Sequence, residues 1–163
     1  MTLTELNSLD RAAFVEAIGW VFEHSPWVAE QVARAKPFPS IEVLHETMVN
    51  QVEAAPPDRQ LALLRAHPDL GARARISTAS TAEQAGAGLD RLTPVEFERL
   101  QHLNSAYRDK FGFPFLFAVK GSTKYDILQA LERRLGAAAE EERREALRQV
   151  YRIAEFRLRD TMK

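Results

Sequence analysis

The chain has 163 residues, 45% of them apolar and 28% charged, with a formal net charge of −1 and no cysteine. That balance suits an ordinary soluble globule large enough for a respectable core. It offers no basic field for nucleic acid, no disulfide or thiolate chemistry, and no apolar run near the ~20 residues that span a bilayer.

Helical spacing dominates the pattern. Phe14, Ile18, Val21 and Phe22 share one helix face, with Asn7 or Ser8 as its cap. Pro26 opens a second, shorter helix running to about Ala35, and "KPFPS" then forces extended backbone. Ser40 caps a third helix carrying Ile41, Leu44, Met48 and Val52. After "APPD", Asp58 caps a fourth with Leu61 and Leu64, which leads to His67. "GARARISTASTAEQAGAGL" reads as loop enclosing one short helix. Thr93, Pro94 and Glu96 form a capping box before the stripe Phe97, Leu100, Leu103 and Tyr107, and Gly112 is the terminator. Two further helices follow, over 123–135 (closed by Gly136) and 138–161, the latter with Leu147, Val150, Ala154 and Leu158 on one face. No repeat or linker divides the chain. The expectation is a single all-α domain over 1–163, a compact bundle of about seven to nine helices. "MTLTELNSLDRAAF" lacks the regions of a signal peptide and "RDTMK" is not a peroxisomal tripeptide, so the expected compartment is the cytoplasm.

"FGFPFLFAVKG", 111–121, fits no helix, and Pro114 argues against a regular internal strand. A buried extended segment must find partners for its amides and carbonyls. Some pair with neighbouring elements, and others are available to a small-molecule ligand.

Four histidines are present: His24, His45, His67 and His102. Neither H-E-x-x-H nor H-x-H occurs, so no metal site is expected. His45 and His102 lie within expected helices, and His24 reads as a cation at a helix C-terminus. His67 stands on a break enforced by Pro68, either as a plain helix end or as a titratable ring aimed into a pocket. Ser80 and Glu83 have capping-box spacing. The same segment also offers amides, a hydroxyl, a carboxylate and a side-chain amide to a polar ligand. Arg157 lies on or beside the apolar face of the last helix, where it needs either a salt bridge or an anionic ligand. "EEERREALRQ", 140–149, reads as a solvated face with i, i+4 pairs.

Taken together, "AHPDLG", "S-x-x-EQ-x-x-AGL" (Ser80 to Leu89) and "YRDKFGFPFLFAVKG" resemble the decarboxylases acting on 2-oxo-4-hydroxy-4-carboxy-5-ureidoimidazoline. "FVEAIGWVFEHSPWVAEQV" and "KPFPSIEVL" extend the likeness over nearly the whole chain. The resemblance implies a small all-helical enzyme of purine breakdown that needs no cofactor or metal and forms (S)-allantoin. It implies a catalytic His67 with Pro68 beside it in the substrate pocket, and Glu83 as the essential carboxylate. It places Ser80, Thr81, Ala82 and Gln84 in the ligand-binding segment. Phe115, Leu116, Phe117, Ala118 and Val119 become the backbone that meets the ring, and Arg157 the substrate-holding arginine. A small-molecule substrate and a homodimer are implied, with no nucleic acid or membrane partner.

One rival reading is a J-domain-like co-chaperone, because His67-Pro68-Asp69 after a helix is similar to that signature. It leaves "FGFPFLFAVKG" and the C-terminal helices unexplained, and the stretch "LALLRA" before the tripeptide carries one arginine where a strongly basic helix is usual. A non-catalytic helical scaffold is the third reading, in which the same residues are caps and salt bridges.

Overall fold

In the computed structural model, residues 1–71 and 78–162 are described. The all-α expectation holds: among these residues there are nine α-helices, two short 3-10 turns and no strand. The helices are α1 Leu3–Ser8, α2 Arg11–Ile18, α3 Trp27–Val32, α4 Ile41–Ala54, α5 Pro57–Arg65, α6 Thr78–Gly86, α7 Pro94–Phe111, α8 Lys124–Leu135 and α9 Ala139–Thr161. The chain forms two compact units, residues 1–66 with 151–163, and residues 67–150.

Local chemistry explains most boundaries. The Val43 amide donates to Ser40 Oγ at 3.1 Å, and Thr93 closes its capping box with Glu96, as the sequence predicts. Gly112 ends α7 in the left-handed conformation, φ +79°, which suits a residue without Cβ. Other boundaries differ from expectation. α1 starts on a capping box between Thr2 and Glu5, and α2 is capped by Asp10, not by Asn7 or Ser8. Asn7 is occupied elsewhere: its side chain accepts the Phe38 amide at 2.8 Å and donates to the Phe38 carbonyl at 2.9 Å. Val21 and Phe22 are buried, but in and after a 3-10 turn that begins at Gly19. α5 has Pro56 at its cap and Pro57 at its first position, so Asp58 is a first-turn acid and not the cap. Of the stretch 71–89 expected as loop enclosing one short helix, residues 72–77 lie outside the described residues.

In the first unit α3 packs on α2 and α4, burying Phe14, Ile18, Val28, Leu44, Met48 and Val52. In the second unit α7 packs on α8, with Leu100, Tyr107, Phe115, Ile127 and Leu131 buried. Fully burying one such aliphatic or aromatic side chain stabilises the fold by roughly 1.5–3 kcal/mol before chain entropy is counted.

Candidate active site

α5 ends at Arg65, and His67 follows on a bend, only 6% exposed. The residues after it are tied down one by one. Asp69 accepts from the Arg108 guanidinium at 2.7 Å, the Leu70 carbonyl from Asn104 Nδ2 at 2.9 Å, and the Gly71 amide donates to Gln84 Oε1 at 2.9 Å. Gly71 has φ +74°, and a Cβ there would lie 2.5 Å from Leu100 Cδ2, so both backbone and space demand glycine. A buried imidazole on a loop held at three successive residues is a preorganised group.

The short helix expected after the break is α6. It includes Ser80 and Glu83, so Ser80 sits inside the helix and not at its cap. Ser80 and Gln84 are buried, Glu83 is half-buried, and Thr81 and Ala82 are exposed. Gln84 does more than the sequence reading assigns it, since its side-chain oxygen links α6 back to the His67 loop.

Residues 114–119 belong to no helix or strand. The Phe115 and Phe117 rings lie 6.0 Å apart and nearly parallel, as i, i+2 side chains do on one face of an extended chain. The Leu116 carbonyl accepts from Arg134 at 2.6 Å, and the Ala118 amide donates to Gln149 Oε1 at 2.9 Å. In extended backbone the N–H and C=O of one residue share an edge, and the next residue uses the other edge. One edge is therefore taken by Arg134 and Gln149, and the amide and carbonyl of Phe117 belong to the opposite edge. Among the described residues no hydrogen bond closes on either Phe117 group.

Arg157 is 3% exposed, and its guanidinium meets Glu23 Oε2 at 2.8 Å and the Trp20 and Val21 carbonyls at 3.3 Å each. The salt-bridge half of its sequence reading is thus present, with Glu23 as the buried counter-charge. His24 lies in a turn beyond the 3-10 turn Gly19–Val21 and not in the last turn of an α-helix. It has φ +46°, a largely exposed side chain, and Nε2 at 3.7 Å from Glu23 Oε1. His45 Nε2 lies 2.8 Å from the Tyr151 carbonyl, a structural tie, and His102 is exposed on α7.

Several site-shaping residues escape a reading of the sequence. Glu142 lies within the run taken for a solvated face, yet it is 1% exposed and bonded to Arg134 and Tyr107. Burial, then the Glu142 carboxylate, push the Tyr107 hydroxyl far above the usual tyrosine range. Asn104 was detectable as the polar residue between Leu103 and Tyr107 on an apolar stripe. Among the described residues no cluster of three His, Asp or Glu could hold a metal ion, and no helix is long and apolar enough to cross a membrane.

The family model of the OHCU decarboxylases matches residues 7–159. The chain belongs to that family. A 2-oxo-4-hydroxy-4-carboxy-5-ureidoimidazoline decarboxylase of Haloferax volcanii is 48% identical over 158 residues, covering 97% of this chain and 94% of that protein. A uric acid degradation bifunctional protein of Bacillus subtilis is 46% identical over 159 residues, and this chain spans 32% of its length. The crystal structure of an (S)-allantoin synthase superposes with a TM-score of 0.83 at 35% identity, over 99% of this chain and 54% of that one. Family membership from residue 7 to residue 159 also leaves no separate segment for a J-domain.

Proposed function

We infer that this protein decarboxylates 2-oxo-4-hydroxy-4-carboxy-5-ureidoimidazoline to (S)-allantoin in urate breakdown. The observation that carries the reading is the end-to-end likeness to a decarboxylase of that name, 48% identical over 97% of this chain and 94% of the relative.

The chemistry needs no borrowed electron sink. When the carboxylate leaves as carbon dioxide, the bonding pair moves onto the ring carbon and into the adjacent C=N, whose nitrogen gains a proton. The hydroxyl on the carbon that lost carbon dioxide then gives up its proton as that carbon becomes a carbonyl. A proton added to the neighbouring ring carbon sets the stereocentre. Many decarboxylases rely on a cofactor for the first of these steps, and here the substrate supplies it.

In this reading His67 moves the protons, since an imidazole titrates near working pH, and Glu83 orients it or the substrate hydroxyl. The same reading gives substrate-holding roles to Arg157 and to the backbone of Phe115, Leu116, Phe117, Ala118 and Val119, and substrate-binding roles to Pro68, Ser80, Thr81, Ala82 and Gln84. The buried, tightly held His67 and the open hydrogen-bonding edge at Phe117 both support these roles. The enzyme is a carboxy-lyase, without cofactor or metal, acting in the cytoplasm as a homodimer.

A coupled assay tests the reading. Urate oxidase and the ring hydrolase generate the unstable substrate in place, and circular dichroism follows the product. Added protein accelerates the appearance of optically active allantoin. Slow formation of racemate, unchanged by the protein, would defeat the reading.

A further inference from the structure

We propose that Arg134 and Gln149 are positioning residues for this reaction, clamping one edge of the 115–119 segment so that the opposite edge, at Phe117, meets the substrate in fixed register. The proposal rests on the decarboxylase reading, in which that backbone contacts the substrate ring.

A strand inside a sheet has its register set by neighbouring strands, and among the described residues this segment has none. Two buried side chains do the work instead. Arg134, near the C-terminal end of α8, donates through Nη1 to the Leu116 carbonyl at 2.6 Å. Its guanidinium lies over the Phe115 ring, 4.5 Å from the centroid. Gln149, on α9, accepts the Ala118 amide at 2.9 Å and donates to Glu145 Oε1 at 2.8 Å. The two grips fall two residues apart, on the same edge of the extended chain, so together they fix its translation and its rotation.

Both clamps are themselves braced. Arg134 Nε donates to Glu142 Oε1 at 2.6 Å, and the Tyr107 hydroxyl donates to the same oxygen at 2.5 Å. Tyr107 in turn stands edge-on to Phe115 and Phe113. A buried ion pair is a weak source of net stability, because desolvation offsets most of the attraction. What this one provides is a charged donor for the Leu116 carbonyl, which no backbone amide serves among the described residues. Slippage of the segment by one residue would exchange the two edges and present Leu116 and Ala118 groups where Phe117 stood.

The test uses the full-length protein in the coupled assay, with enzyme in excess so that spontaneous decay is outrun. Gln149→Leu removes the acceptor for the Ala118 amide. It is expected to remain helical with a cooperative unfolding transition, to lose about tenfold or more in kcat/KM, and to give allantoin of lower enantiomeric purity. The exchange Glu145→Gln with Gln149→Glu keeps an acceptor at 149 and a donor at 145, and is expected to recover most of the rate and purity. Arg134→Met alone strands the Glu142 carboxylate, so the clamp is tested there in the double variant Arg134→Met/Glu142→Gln, which keeps an acceptor for the Tyr107 hydroxyl and is expected to lose rate in the same way. An active wild-type protein whose Gln149→Leu variant stays within about twofold in kcat/KM, with full enantiomeric purity, overturns the positioning role and leaves the enzyme reading standing. A wild-type protein that does not accelerate product formation overturns both.

Discussion

Gln84 on α6 accepts the backbone amide of Gly71 at 2.9 Å, and so ties the helix that carries Glu83 to the loop that carries His67. This bond joins two segments of the second unit that the proposed chemistry uses together. Gln84→Ala is expected to destabilise the protein by about 1 kcal/mol and to lower kcat/KM by more than that loss of stability explains. Denaturant unfolding and the coupled assay, run on the same preparation, check both halves.

Gly71→Ala combines a left-handed φ with a Cβ 2.5 Å from Leu100. It is expected to cost about 1–3 kcal/mol of stability. Since the strain falls four residues after His67, activity should drop as well. Leu100→Ala removes the clash but empties a fully buried site at a cost of about 2–5 kcal/mol of its own, so the clash is read from a double-mutant cycle in which the two changes together cost less than their sum.

His67→Asn removes the titratable ring on a residue that is already buried. Turnover in the coupled assay is expected to fall to the spontaneous rate while far-ultraviolet circular dichroism stays unchanged. Near-normal activity would take His67 out of the mechanism.

Glu23 and Arg157 are both almost fully buried, and their 2.8 Å ion pair makes each the other's charge compensation. Glu23→Gln is expected to destabilise by about 3–5 kcal/mol, since it removes a buried carboxylate charge that lies 2.8 Å from a buried guanidinium. Glu23→Leu together with Arg157→Met is expected to cost less than the sum of the single changes. A double-mutant cycle in denaturant measures the difference.

Lys124 and Glu96 meet at 2.6 Å between α8 and α7. The hydrogen bond from Lys124 holds the Glu96 carboxyl below its ordinary range, and the same bond raises the Lys124 ammonium above its own. A depressed acid stabilises the fold above its unfolded value and loses that contribution as pH falls through the folded one. A raised lysine contributes below its unfolded value and loses this as pH rises through the folded one. The tie is therefore at full strength from about pH 6 to about pH 9 and fades on both sides. Thermal midpoints of the wild type and Glu96→Gln should differ most in that window and converge under acid and alkali.

The chain order of helices was legible because caps and apolar spacing are local. Ser40, Thr93 and Gly112 act where the sequence places them, and the stripe Leu147, Val150, Ala154 and Leu158 is buried as its spacing requires. The chain also marked His67 by its proline, since a helix break is decided by covalent geometry within one residue.

What the chain could not disclose is which polar groups are spent on one another. Glu142 and Gln149 sit in a run whose charge pattern reads as solvated, and they are buried because α9 turns them toward Arg134 and the 115–119 backbone. Asn7 loses its expected capping role to Phe38, which lies 31 residues away. Such pairings join residues distant in sequence, so no local pattern encodes them, and only the folded arrangement selects which donor meets which acceptor.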